Sequence, residues 1–144
     1  MIGQLVTSFI ATAAFGVIFN APKETLVKCG FVGMGGWIIY YIAEKYSGDS
    51  VLATLGATLF VGIVSQELAK FYKTPVIIFS VAGIIPLVPG GLAYDTMRNF
   101  VEDDYYQALA LGAKVTLLSG SIAFGLVFSE VINQVVRRIK RANL

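Results

Sequence analysis

The sequence predicts an all-α polytopic membrane protein of about five transmembrane helices, the fourth broken at a proline–glycine motif. Three observations predict it. Of 144 residues, 56% are hydrophobic and 14% charged, and the mean hydropathy is +0.75. Soluble domains carry about a quarter charged residues, and one of this size has too little interior to hide so much apolar surface. Uncharged runs of spanning length recur along the chain, and the basic residues between them fall mostly on one side of an alternating topology. The length fits one transmembrane domain, 1–144.

A bilayer core of about 30 Å needs roughly 20 predominantly apolar residues per helix. Met1 to Pro22 and Cys29 to Ala43 are free of charge, as are Ser50 to Gln66 and Thr74 to Tyr94, and Tyr105 to Ser129 is interrupted only by Lys114. Extended by their neighbours, these runs predict spans at 2–20, 26–45, 51–71, 75–97 and 106–136. The connections are short and polar, and no segment is left for a soluble domain.

The first run is not a secretory signal by pattern, because its first positive charge, Lys23, follows the apolar stretch. Lys23, Lys28, Lys70, Lys73, Arg137, Arg138, Lys140 and Arg141 share one side, against Lys45 and Arg98 on the other. Eight against two predicts a cell-membrane protein with its N-terminus outside and its C-terminus cytoplasmic. An odd span count also suits one half of an inverted-repeat transporter.

Several chemistries drop out. The chain has no histidine and one cysteine, Cys29, so imidazole catalysis, disulfides and Cys/His metal sites are excluded. Cys29 lies in an apolar run and reads as a small packing residue. A net charge of +2 predicts no nucleic-acid partner. No base–nucleophile pair stands at motif spacing, so the chain reads as no enzyme and needs no cofactor.

Helices in lipid associate through small and polar residues. Gln4, Ser8, Thr12, Gly16 and Asn20 recur every four residues in the first span, as do Thr54, Thr58, Gly62 and Gln66 in the third. Ala108, Gly112, Thr116 and Gly120 do so in the fifth. Such steps keep to one broad face. Gly62, Gly112 and Gly120 read as packing positions, while Gln4, Asn20 and Gln66 admit a polar path, because amides need partners in lipid. Gly30, Gly33, Gly35 and Gly36 predict close approach in the second span, with Trp37, Tyr40, Tyr41 and Tyr46 as an interfacial belt.

Gly83-Ile84-Ile85-Pro86-Leu87-Val88-Pro89-Gly90-Gly91 is the most informative segment. Pro86 and Pro89 each remove a backbone donor, and Gly90-Gly91 frees the chain to turn. At 1.5 Å per residue from Thr74, Pro86 lies about 18 Å into the membrane. A break there leaves carbonyls on one half-helix and amide donors near Gly90 and Gly91, which suit a carboxylate. Asp95, a turn further on, would receive an ammonium group or a proton. The alternative is a kinked or re-entrant segment that only shapes packing, with Asp95 at the outer interface.

Lys114 is the one basic residue well inside a span, and pairing with Asp95 or snorkelling both fit it. Glu67 and Glu130 read as interfacial ion-pair partners of Lys70 and the basic tail. Glu102-Asp103-Asp104 reads as a solvated loop. The candidate substrate and ion path is therefore Pro86, Pro89, Gly90, Gly91, Asp95, Lys114 and Gln66, with no metal site.

Ile85-Pro86-Leu87-Val88-Pro89-Gly90-Gly91, preceded by Gly83 and followed by Tyr94, resembles the signature of the threonine/serine exporter family. Phe15 to Lys23 and Gly35-Gly36-Trp37 fit the same pattern. The resemblance runs the length of the chain and is to the small subunit, the equivalent of the C-terminal half of the fused exporters. It implies a secondary exporter of small hydroxy amino acids, coupled to protons and working with a larger polytopic subunit. Dicarboxylate export on the same scaffold is the alternative that the resemblance implies, and a non-transporting membrane scaffold, including a homo-oligomer, is the alternative from another class.

Overall fold

The computed structural model describes residues 2–142, with side chains through Lys140. Met1 and the Arg141 side chain, both used above, lie outside the described residues. Six α-helices follow in order: α1 Ile2–Ile18, α2 Lys23–Ser47, α3 Ser50–Tyr72, α4 Val76–Ile84, α5 Gly90–Val101 and α6 Tyr105–Ala142. A short 3-10 turn, Ile85–Leu87, prolongs α4. No strand occurs among the described residues, and the protein is an all-helical membrane protein.

Lys23–Ser47, Ser50–Tyr72 and Tyr105–Lys140 are long and apolar enough to cross a bilayer. Val76–Leu87 and Gly90–Val101 together pass the same test but are bent by 54°. α1 is apolar but has only 17 residues. It stops at Ile18 because Asn20 takes a left-handed φ of 55° and Pro22 follows, two residues short of the predicted end. α6 outruns its prediction at both ends, and its 38 residues reach about 57 Å, well beyond a bilayer core.

The turns carry their signals locally. Gly48, at φ +67°, ends α2 in the left-handed conformation that glycine adopts without strain. Asp49 then caps α3, its carboxylate accepting from the Val51 N–H at 2.8 Å. Pro22 and Pro75 stand just before α2 and α4, where a missing N–H is harmless.

α3 packs against α2, α4 and α6 and is the central helix. The four-residue stripes of α1 and α3 are packing faces over most of their length, with Gln4 and Asn20 exposed at the two ends of the first. Ser8, Thr12 and Gly16 are the buried residues of α1, and Thr54, Thr58, Gly62 and Gln66 are all buried in α3. A Cβ on Gly33 would overlap Thr12, one on Gly30 would stand 2.5 Å from Phe9, and one on Gly36 would stand 2.6 Å from Val61. Cys29 is fully buried beside Phe79 and Ala82, the small packing residue expected.

Gly120 departs from expectation: a side chain there would meet nothing within 4 Å. Gly125 does that work instead, facing Thr58 and standing 3.0 Å from the Leu55 carbonyl as a notional Cβ. The stripe on α6 shifts because 3.6 residues per turn carry a strict four-residue step off the contact face.

Candidate substrate path

Helix directions frame the path. Thr58 faces Gly125, Gly62 faces Ser129, Gln66 bonds Glu130, and Lys70 bonds Asn133. Both numbers rise together, so α3 and α6 run parallel. Val32 packs on Gly83 and Gly36 lies near Leu87, so α4 runs parallel to α2 and carries the chain back along α3. Lys28 lies 3.5 Å over the Tyr72 ring, which gathers Lys23, Lys28, Lys70, Lys73 and the end of α6 at one end of the bundle.

The break falls at Val88 and Pro89. Val88 is extended at φ −66° and ψ 126°, and Pro89 precedes α5 at φ −76° and ψ 52°. Pro86 itself does not break the chain. It sits at the start of the 3-10 turn, where its lost N–H costs little. Leu87 packs into the cluster of Val32, Ala57 and Val61, level with the middle of α3. The Gly90 N–H donates to the Val88 carbonyl at 2.8 Å, and the Ala93 N–H returns to Pro89 at 3.0 Å. The donors of Gly91 and Leu92 lie between these, without a backbone acceptor among the described residues. Gly90 and Gly91 are exposed, with open space where a side chain would stand.

Pro86 lines a cavity of about 260 Å³ with Ile85, Trp37 and the α1 residues Gln4, Thr7, Ser8 and Ala11. Thr7 and Ser8 donate their hydroxyls to carbonyls of their own helix, Ser8 to Gln4 at 2.7 Å, so their oxygens remain free to accept. α1 thus brings polar groups against the 3-10 turn.

The remaining candidates stand apart from that cavity. α5 packs on α6, Thr96 facing Gly112, and buries no residue of its own. Asp95 is half-buried and its carboxylate has no hydrogen-bond or ion-pair partner among the described residues. Lys114 is exposed and likewise makes no ion pair there. Extending the Thr58–Gly125 register sets Ser50 level with Leu117, so Lys114 lies about 4.5 Å past the end of α3.

Gln66 lies on the opposite side, 3% exposed, in a second cavity between α3, α4 and α6. Its Nε2 donates to Glu130 Oε2 at 3.0 Å, and Gln134 donates to the other Glu130 oxygen at 3.2 Å. Glu67 is ion-paired with Lys70, as expected. Glu130 makes no ion pair among the described residues: two amides hold it. Sequence reasoning missed this because a carboxylate about two turns before arginines reads as interfacial, and only the α3–α6 register brings it to Gln66. Glu102, Asp103 and Asp104 are exposed, Glu102 pairing with Arg98, and no metal-binding group forms among the described residues.

The family model described as threonine/serine exporter matches residues 4–132. The chain belongs to the threonine/serine exporter family. It is 29% identical over 140 residues to a threonine/serine exporter of Corynebacterium glutamicum, covering 97% of this chain and 28% of that protein. It is 26% identical over 131 residues to an uncharacterized protein of Haemophilus influenzae, covering 85% of this chain and 44% of that one. The chain therefore spans less than half the length of either relative. No solved structure matches it. Exporter-family membership accords with transport rather than enzymatic chemistry, and with a multi-pass membrane location.

Proposed function

We propose that this chain is one subunit of a secondary exporter of threonine and serine, coupled to protons and working with a larger membrane subunit. The observation that carries the proposal is the backbone break at Val88–Pro89, beside a cavity that Pro86 lines with Gln4, Thr7 and Ser8 of α1, in a chain of this family. Broken helices at membrane depth are tolerated where they line protein or water, and transporters use their free backbone groups on substrate. The free donors of Gly91 and Leu92 and the adjoining helix end favour a substrate carboxylate. Asp95, whose carboxylate has no partner among the described residues, would take the ammonium group or the coupling proton.

In this proposal α1, α2, α3, the bent α4–α5 pair and α6 make five crossings. The parallel run of α3 and α6 supports it, because a re-entrant α4–α5 would set α6 antiparallel to α3. The basic residues gathered at one end favour that end as cytoplasmic, leaving the N-terminus outside. The relatives' greater length supports a partner that supplies the remaining helices.

The test is gentle extraction of the tagged chain from its native membrane, mass spectrometry of what co-purifies, and serine and threonine efflux from the same cells. A larger polytopic protein in fixed ratio and efflux lost with either component would support the proposal. Recovery of this chain alone, with efflux unchanged by its deletion, would leave it a scaffold.

A further inference from the structure

The cavity between α3, α4 and α6 is about 190 Å³ and is lined by Gly62, Gln66, Val76, Ser80, Leu126, Ser129 and Glu130. Its polar groups share one character. Ser80 donates its hydroxyl to the Val76 carbonyl at 3.1 Å, and Ser129 donates to Leu126 at 2.7 Å. Each leaves an oxygen that only accepts. The Gln66 amide places Nε2 on the Glu130 carboxylate, the orientation a carboxylate demands. That leaves Gln66 Oε1 buried with no hydrogen-bond partner. An unpaired buried carbonyl is costly, and native proteins satisfy such groups with water or ligand.

The charge balance has the same sign. Glu130 accepts two amide bonds and has no ion-pair partner among the described residues. The nearest base on α3, Lys70, is held by Glu67 and by Asn133 at 2.8 Å. α4 contributes no charged residue to the cavity wall. A small cavity whose free polar groups are acceptors, the exposed Glu130 carboxylate among them, and whose wall carries no cation fits a compact donor-rich cation.

The geometry points to a primary-ammonium site in this cavity, bound by Gln66 Oε1 and the Glu130 carboxylate. An ammonium group has three donors and no acceptor, matching what the wall offers. That the bound amine is the exported amino acid rests on the proposed function; the site itself does not. In the proposed orientation it lies toward the cytoplasmic end of α3, an entry station reached before the break.

The test uses the full chain in lipid nanodiscs and a saturation-transfer NMR titration with methylammonium, L-serine and propionate. Wild type binds methylammonium and L-serine. Glu130→Gln, which retains an acceptor for Gln66 Nε2, weakens both at least tenfold and leaves propionate unchanged. Ser80→Ala, a smaller change, weakens methylammonium severalfold with helicity and elution unaltered. Methylammonium bound equally by wild type and both variants, or not bound by folded wild type, overturns the site. Serine efflux from cells is read in parallel. Efflux lost in Glu130→Gln with methylammonium binding intact sinks the site and spares the exporter. Binding lost in that variant, with efflux indifferent to the chain's presence, supports the site and sinks the exporter.

Discussion

Gln66 on α3 and Glu130 on α6, 64 residues apart in sequence, are joined by a 3.0 Å hydrogen bond from Nε2 to Oε2. The bond has a topological consequence. With Thr58 against Gly125 and Lys70 on Asn133, it sets α3 and α6 side by side and parallel. Two parallel helices linked by about 32 residues need a return path, and α4 with α5 provides it. The 3-10 turn just before the break in that return packs on α1, α2 and α3.

Accessibility can test the orientation. Cys29 is fully buried and leaves a quiet background. In intact cells Tyr46→Cys, at the end of α2 where Tyr46 is 87% exposed, should label with a membrane-impermeant maleimide. Arg138→Cys should label only after permeabilisation. The reverse pattern would invert the topology.

Glycine substitutions should separate packing from open space. Gly33→Leu drives a side chain into Thr12 on α1, and overpacking of this kind costs about 1–3 kcal/mol. Gly125→Leu meets Thr58 and a backbone carbonyl that has no rotamer to yield. Both should lower thermal stability in detergent. Gly120→Ala should not, since nothing stands within 4 Å. Equal losses in all three would mean that α6 packs elsewhere.

Most of the helix order was legible because lipid imposes long apolar runs, and the small-residue stripes on α1 and α3 gave their buried faces. Gly120 misled because periodicity tells which residues share a face but not what lies opposite. Pro86 and Pro89 pointed to broken backbone. Only the dihedrals distinguish the two, since a proline at the start of a helical turn is harmless while the extended Val88 before Pro89 ends one. Glu130 reads as an ion-pair partner because it stands near the end of its span, seven residues before the basic tail, whereas its partners come from α3 and from the next turn of α6. Asp95 and Lys114 lay close in the predicted topology, but the hairpin of α5 and α6 does not pair them.

The bent α4–α5 pair should be more than a packing device. Pro89→Ala restores a helix donor and favours a continuous helix across residues 85–95. If the break serves transport, serine efflux should fall at least tenfold with protein abundance unchanged. A fall in abundance that accounts for the whole loss would instead make the proline structural, as a scaffold would have it.

Asp95→Asn and Lys114→Ala decide which charge the path uses. Neither residue is ion-paired among the described ones, so neither change leaves a buried partner stranded, and abundance should hold for both. An amino-acid substrate brings an ammonium group, so Asp95→Asn should abolish threonine and serine efflux while Lys114→Ala changes it less than twofold. A dicarboxylate substrate brings a second negative charge, so Lys114→Ala would then be the damaging change and succinate the solute retained in the cells. The discriminating measurement is parallel efflux of labelled serine and succinate from cells carrying each variant. Unchanged serine efflux in Asp95→Asn would remove that carboxylate from the mechanism. The ammonium and proton would then be left to the Gln66–Glu130 cavity.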